Sequence, residues 1–214
     1  MESPLRPPVE PDFRLIETLG FHPDQGFLRR DRHLDRMART AKALSLSFDR
    51  NAALAILSDV TSDTSLRCRL TMDVYGGFDL TAAALARNPE VWRLVIPQTR
   101  LNSDDFWLQH KTTRRAVYDS ARASLPDDVD ELLFLNEREE LCEGTITNLF
   151  VEMPDGRRLT PPVSSGLLPG ILREEMLEED WAEAVLNLND LKSAKAIYMG
   201  NSLRGLIPAN LVVL

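Results

Sequence analysis

Residues 131–176 read ELLFLNEREELCEGTITNLFVEMPDGRRLTPPVSSGLLPGILREEM, and their pattern decides the fold class. ELLFLN, Glu131 to Asn136, is an apolar run of strand length. TITNLFVEM and RRLTPP flank Pro154-Asp155-Gly156, and Asp-Gly between two such runs is a hairpin signal. VSSGLLPG then reads as a loop, and ILREEMLEED has helical spacing from Ile171 onward. Strand, hairpin, loop and helix follow one another without the regular crossovers of a parallel sheet, which points to an α+β arrangement.

The same reading extends outward. Upstream, a helix is expected from about Lys111 to Ala123, preceded by a polar linker without clear period from Gln98 to Asp105. Downstream come the helix-like NDLKSA, the strand AIYMG, the loop NSLRG and a last strand NLVVL. In the first half, residues 1–11 carry four prolines and read as an extended arm, and FRLIETL, Phe13 to Leu19, looks like a strand. Asp31 is expected to cap a helix in which Leu34, Met37, Ala38, Ala41 and Leu44 repeat at helical spacing, with a second helix around Leu54 to Val60. Leu66, Cys68, Leu70, Met72 and Val74 alternate with Arg67, Arg69, Thr71 and Asp73, the signature of a half-buried strand. Gly76-Gly77 turns it into FDLTAAALA, and VWRLVIP closes this half. The expectation is two small mixed α/β domains, 1–97 and 106–214, joined by a linker at 98–105.

Composition narrows the function. The chain has 214 residues, 43% hydrophobic and 27% charged, with 25 basic against 33 acidic residues and a net charge of −8. That is ordinary for a globular protein and unsuited to wrapping nucleic acid or coating an anionic membrane. No apolar run approaches the roughly 18 residues of a spanning helix. The start, MESPLRPPVEP, lacks the apolar core of a secretory signal. Cys68 and Cys142 lie far apart, which favours a reducing compartment over a disulfide framework. His22, His33 and His110 share no metal-ligand spacing. A cytoplasmic enzyme or binding protein is expected.

Several residues can carry chemistry. Lys111 lies in HKTTRR, where neighbouring cations, a helix start and partial burial would each favour the neutral amine that Schiff-base chemistry needs. A solvated lysine on a charged helix end would look the same. In SSGLLPG-ILREEM, Gly166 and Gly170 allow close backbone approach. The N–H groups of Ile171 and Leu172 can point at a phosphate, although a plain helix start offers them too. Glu143 is an unusual choice between apolar strands; it either holds a protonated ring nitrogen by a charge-assisted hydrogen bond or faces water in a turn. The loop NSLRG, Asn201 to Gly205, offers polar side chains and amides at a strand end. Arg36, on the helix DRHLDRM, reads by default as a surface residue.

FRLIET, HLDRM, HKTTRRAVYDSA, NEREELCEGTITNLF, LTPP, GLLPGILR and NSLRG, in this order and spacing, resemble the fold-type IV, pyridoxal-phosphate-dependent proteins of the aminotransferase class IV family. The resemblance runs from about Phe13 to the end and is stronger in the second half. It is greatest to the 4-amino-4-deoxychorismate lyase-like branch, in folate biosynthesis, and the family also includes branched-chain and D-amino-acid aminotransferases. The resemblance implies two domains with the cofactor in the cleft between them, the first shortened before FRLIET. It implies that Lys111 binds the cofactor aldehyde covalently and that Glu143 pairs with the pyridine nitrogen. Arg36, the amides of Ile171 and Leu172, and Asn201 are implied at the phosphate; the amides of Ser202 and Leu203 at a substrate carboxylate. Arg204 or Arg69 is a further candidate for that carboxylate, as a bidentate fork. A small-molecule amine substrate and a homodimer are implied as well. Lyase and transaminase chemistry use the same lysine, and binding of the cofactor without turnover is a third reading.

Overall fold

Alternation along LRCRLTM builds the first sheet. The computed structural model describes residues 10–212, so most of the proline-rich arm and the last two residues of NLVVL lie outside the described residues. The chain divides into two units, Met1–Leu85 with His110–Arg114, and Ala86–Gln109 with Arg115–Leu214. The division thus falls at Leu85/Ala86 rather than at 97–106.

In the first unit, β1 (Leu15–His22), β2 (Gly26–Phe27), β3 (Leu66–Met72) and β4 (Phe78–Ala84) form an antiparallel sheet in the order β2-β1-β3-β4. Cys68, Leu70 and Met72 are buried on one face as the alternation requires, opposite Leu19, Glu17 and Leu15. Helix α1 (Arg30–Leu44) packs on β1, burying Leu34, Met37, Ala41 and Leu44; each such leucine contributes about 2 kcal/mol of burial. Asp31 does not cap α1. The cap is Arg29 in a left-handed conformation, φ 54°, without a side-chain bond, and Asp31 sits in the first turn, where its charge suits the helix dipole. Helix α2 (Arg50–Ser58) starts four residues before Leu54 because Asp49 caps it, accepting from the N–H groups of Asn51 and Ala52.

Residues 111–113 are not helical. Leu15 and Thr112 form an antiparallel bridge, Ile16 N–H donates to the Lys111 carbonyl at 2.8 Å, and Thr113 N–H donates to Arg14 at 3.0 Å. Pairing with the edge of β1 holds this backbone extended, so the helix expected from Lys111 begins only at Ala116.

The second unit closes on itself. Strand β5 (Trp92–Val95) pairs in parallel with β7 (Glu131–Asn136) and with β13 (Gly205–Leu211), so VWRLVIP belongs here rather than to the first half. Strand β8 (Leu141–Gly144) pairs with β7 and with β9 (Asn148–Glu152); β9 pairs with β12 (Ala196–Asn201), and β12 with β13. The circuit β5-β7-β8-β9-β12-β13 therefore returns to β5 as a barrel. Strand β6 (Arg100–Leu101), inside the expected linker, extends it from β7; β10 (Arg158–Thr160) and β11 (Trp181–Glu183) extend it from β9. The run ELLFLN is apolar throughout because both faces are covered. Leu133 and Leu135 join Leu141, Leu149, Val151, Met199 and Ile207 in one core. Leu132 and Phe134 join Tyr118 and Cys142 in another, under helix α3 (Ala116–Ala123). Helices α4 (Ile171–Glu178) and α5 (Leu188–Ser193) follow the hairpin, and β13 begins five residues before the expected NLVVL.

Candidate active site

In the first unit a carboxylate stands inside an apolar strand. Glu17 of FRLIET is buried and accepts from Arg36 Nε at 2.9 Å, from an Arg36 terminal nitrogen at 2.6 Å and from His33 Nδ1 at 2.6 Å. Arg36 and His33 are one α-helical turn apart on α1, which places both over β1. Arg36 is therefore buried at 5% exposure, not a surface residue. Burial alone would raise the Glu17 carboxyl, but the Arg36 charge and the His33 and Arg36 hydrogen bonds outweigh it and hold it well below the carboxylate range. Burial lowers His33, and the charges of Arg36 and Lys111 act in the same direction against Glu17. His33 is thus a neutral ring donating Nδ1–H to an ionised carboxylate, which has acceptors only.

Lys111 also belongs to this unit, on the extended backbone beside β1. The chain has four lysines. Lys42, Lys192 and Lys195 are exposed, and Lys111 is half-buried. Next to it His110 Nδ1 meets Thr40 Oγ1 at 3.1 Å, and burial lowers His110 too. The helix start invoked for Lys111 is absent; partial burial remains.

The second unit gathers the other group. Glu143 near the end of β8, Asn148 at the start of β9 and Gly200 on β12 are successive partners across three strands. Glu143 is 5% exposed, so it does not face water in a turn. Its Oε1 accepts from Tyr118 O–H at 2.7 Å and its Oε2 from Asn148 Nδ2 at 3.3 Å. Asn148 Nδ2 also donates to the Leu168 carbonyl at 2.9 Å, which ties Glu143 to the loop before α4. A Cβ on Gly170 would stand 1.9 Å from Asn148 Oδ1, so only glycine lets that loop come so near. In α4 the Glu174 N–H bonds the Gly170 carbonyl; the N–H groups of Ile171 and Leu172 precede it and have no acceptor within the helix. Leu172 reaches the end of β12, 2.9 Å from where a Cβ on Gly200 would lie.

The loop after β12 is held by Asn201. Its Oδ1 accepts from the N–H groups of Leu203 at 3.0 Å and Arg204 at 2.9 Å, and its Nδ2 donates to the Ile146 carbonyl at 3.0 Å. The Leu203 N–H is thereby directed at Asn201. Ser202 is buried beside it. Arg204 donates to Asn88 Oδ1 at 2.5 Å and lies with its guanidinium 5.8 Å from the Trp92 ring centre.

Sequence reasoning missed Glu17, His33, Tyr118, Asn148 and Glu131. Glu17 carried the signal that singled out Glu143, a carboxylate in an apolar strand. Glu131 carried it too: fully buried at the head of ELLFLN, it accepts from Thr145 N–H and Oγ1, Ile146 N–H and Thr147 Oγ1, which shapes the turn between Glu143 and Asn148. Tyr118 and Asn148 had no such mark, since an aromatic on a helix and an asparagine in a hairpin are common.

Each unit by itself offers donors of the kind that a phosphorylated pyridine aldehyde needs: the second a buried carboxylate suited to a protonated ring nitrogen and helix-start N–H groups suited to a phosphate, the first a buried guanidinium and a half-buried lysine. The sequence profile of the family described as amino-transferase class IV matches residues 14–212. The chain belongs to the class IV aminotransferase family of pyridoxal-phosphate-dependent enzymes and has its fold, the fold-type IV arrangement. A solved structure from Mesorhizobium loti, provisionally named an amino-acid aminotransferase, is 45% identical with a TM-score of 0.90, covering 94% of this chain and 100% of that one. A branched-chain-amino-acid aminotransferase assigned in Thermotoga maritima is 31% identical over 104 residues, which is 46% of this chain and 37% of that protein. A Schizosaccharomyces pombe protein provisionally named an aminodeoxychorismate lyase is 26% identical over 198 residues, 85% of this chain and 83% of that one.

Among the described residues no helix is long and apolar enough to cross a membrane.

Proposed function

We propose that this chain is a pyridoxal-phosphate-dependent enzyme acting on a primary amine that bears a carboxylate, with Lys111 as its reactive amine. The observation that carries the reading is that Lys111 alone among the four lysines is half-buried while the other three are exposed. When bound, the cofactor supplies an aldehyde that condenses with amines and a ring that accepts electrons. Lys111 Nζ would be the amine that holds the cofactor aldehyde and, when free, the base placed to take a proton from the substrate carbon that bears nitrogen. Glu143 holds a proton at the ring nitrogen. The N–H groups of Ile171 and Leu172 bind the phosphate, with Arg36 as its cation. Glu17 and His33 orient that guanidinium, and Asn201 acts by shaping its loop. Ser202 and Leu203, with Arg204 or Arg69, are assigned to the substrate carboxylate; the bond from Leu203 to Asn201 weighs against Leu203.

We assign the lyase outcome, 4-amino-4-deoxychorismate to 4-aminobenzoate and pyruvate, a step of folate biosynthesis. The wording of HKTTRR and NSLRG supports it, as does the long match to the yeast relative. The name of the Mesorhizobium relative favours a second reading, transfer of an amino group between an amino acid and an oxo acid. A cytoplasmic homodimer belongs to the same proposal, supported by the family resemblance.

The test is an absorption spectrum with added pyridoxal phosphate, borohydride reduction and peptide mapping, followed by turnover of both substrate types. A reduced adduct on Lys111, with 4-aminobenzoate and pyruvate formed in equal amounts, is expected. Amino transfer without 4-aminobenzoate selects the second reading. An adduct spread over Lys42, Lys192 and Lys195 overturns the role of Lys111.

A further inference from the structure

We infer that Tyr118 is a positioning residue that keeps the proton on a bound cofactor's ring nitrogen by hydrogen-bonding Glu143. The inference rests on the proposed function and concerns a residue that the motifs leave without a role. Tyr118 comes from α3 and Glu143 from β8, so tertiary packing alone joins them. The Tyr118 hydroxyl donates to Glu143 Oε1 at 2.7 Å, with both side chains buried. Its ring is fixed edge-on to Phe134, centres 5.5 Å apart, and by the Arg115 guanidinium 5.6 Å from its centre.

The direction of the effect follows from which form of the carboxyl group the bond favours. A hydroxyl donated to a carboxylate stabilises the ionised form and lowers its affinity for a proton. Burial, and then the Glu143 charge, push Tyr118 far above its ordinary range, so it remains a donor at every working pH. Other groups nearby include Arg115 over the ring, Asn148 donating to Oε2, the Cys142 thiol, and Arg122, which donates to Thr145 Oγ1 and lies 3.5 Å from the buried Glu131. Burial pushes Cys142 up, so it is a neutral thiol. Without the tyrosine hydroxyl, a desolvated carboxylate gains proton affinity. Each unit gained shifts the proton about tenfold from nitrogen to Glu143. The ring then loses the positive charge that draws electrons from the substrate carbon.

Tyr118→Phe keeps the ring and its packing and removes the hydroxyl. Wild type and variant are loaded with pyridoxal phosphate labelled with 15N at the ring nitrogen, and the 15N chemical shift is followed from pH 6 to 10. The wild type is expected near the protonated pyridinium value at the low-pH end of this range, and the variant displaced there toward the neutral pyridine value, because the proton is shared with Glu143. Because the phenylalanine variant could fail to fold, 3-fluorotyrosine at position 118, a stronger donor, is the second arm; it is expected to move the shift at the low-pH end nearer the full pyridinium value. If the hydrogen bond served packing alone, thermal stability would fall in Tyr118→Phe while the shifts matched the wild type, and the inference would be overturned. Wild-type protein that takes up no cofactor overturns the proposed function itself.

Discussion

Buried carboxylates organise both units, and each is defined by what donates to it. Glu131 takes the donors of the Thr145–Thr147 turn, and a Cβ on Gly144 would stand 2.9 Å from its side chain, so the turn is moulded around the carboxylate. Glu131→Ala strands those donors in the interior. We expect a loss of about 3–5 kcal/mol in the free energy of unfolding by urea, and about half of it restored by Glu131→Gln, which keeps one acceptor oxygen. A loss below about 1 kcal/mol would show that water replaces the carboxylate. At this scale part of the candidate site stood out in the sequence. Lys111 and Glu143 were marked by residue type, because a lysine among cations and a carboxylate among apolar residues are costly unless compensated. Arg36 was not, since an arginine on an amphipathic helix looks the same whether it meets water or Glu17.

Elements decide which of these residues meet. The hairpin around Asp155-Gly156, the strand ELLFLN and the helix beginning at Ile171 were all readable from local pattern. The extended run at 111–113 was not: its sequence has helical company, and only the bridge between Leu15 and Thr112 overrides that preference. The loop before α4 depends in turn on Gly170. Gly170→Ala places a methyl 1.9 Å from Asn148 Oδ1 and must push the Asn148 amide away from Glu143 or the loop away from β9. We expect pyridoxal phosphate to bind at least about tenfold more weakly, the equivalent of one lost hydrogen bond to a charged group, with the circular dichroism unchanged. Retained affinity would mean that the loop position does not set the phosphate site.

For the whole molecule, the ionised Glu17 and the neutral His33 link folding to pH. His33 is lowered from 6.5, so below that pH the unfolded chain binds a proton that the folded chain refuses, and stability falls with falling pH. Glu17 is lowered from 4.5, so its contribution is full above that value and is lost as pH falls further. The thermal midpoint is expected to be flat above pH 7, to decline below about 6.5 and to drop more steeply below about 4.5. Glu17→Gln should remove the steeper limb; a limb unchanged in that variant would assign it to other carboxylates. The sequence by itself determined the α+β class, most strands and helices, and which lysine and carboxylate stand out as candidates, because periodicity and misplaced charge are local properties. Only the tertiary structure decided that VWRLVIP joins the barrel, that residues 111–113 return to the first sheet, and that Tyr118 and Asn148 grip Glu143. Strand partners and hydrogen-bond donors brought from distant parts of the chain leave no period in the sequence, since their energy exists only once the chain has folded.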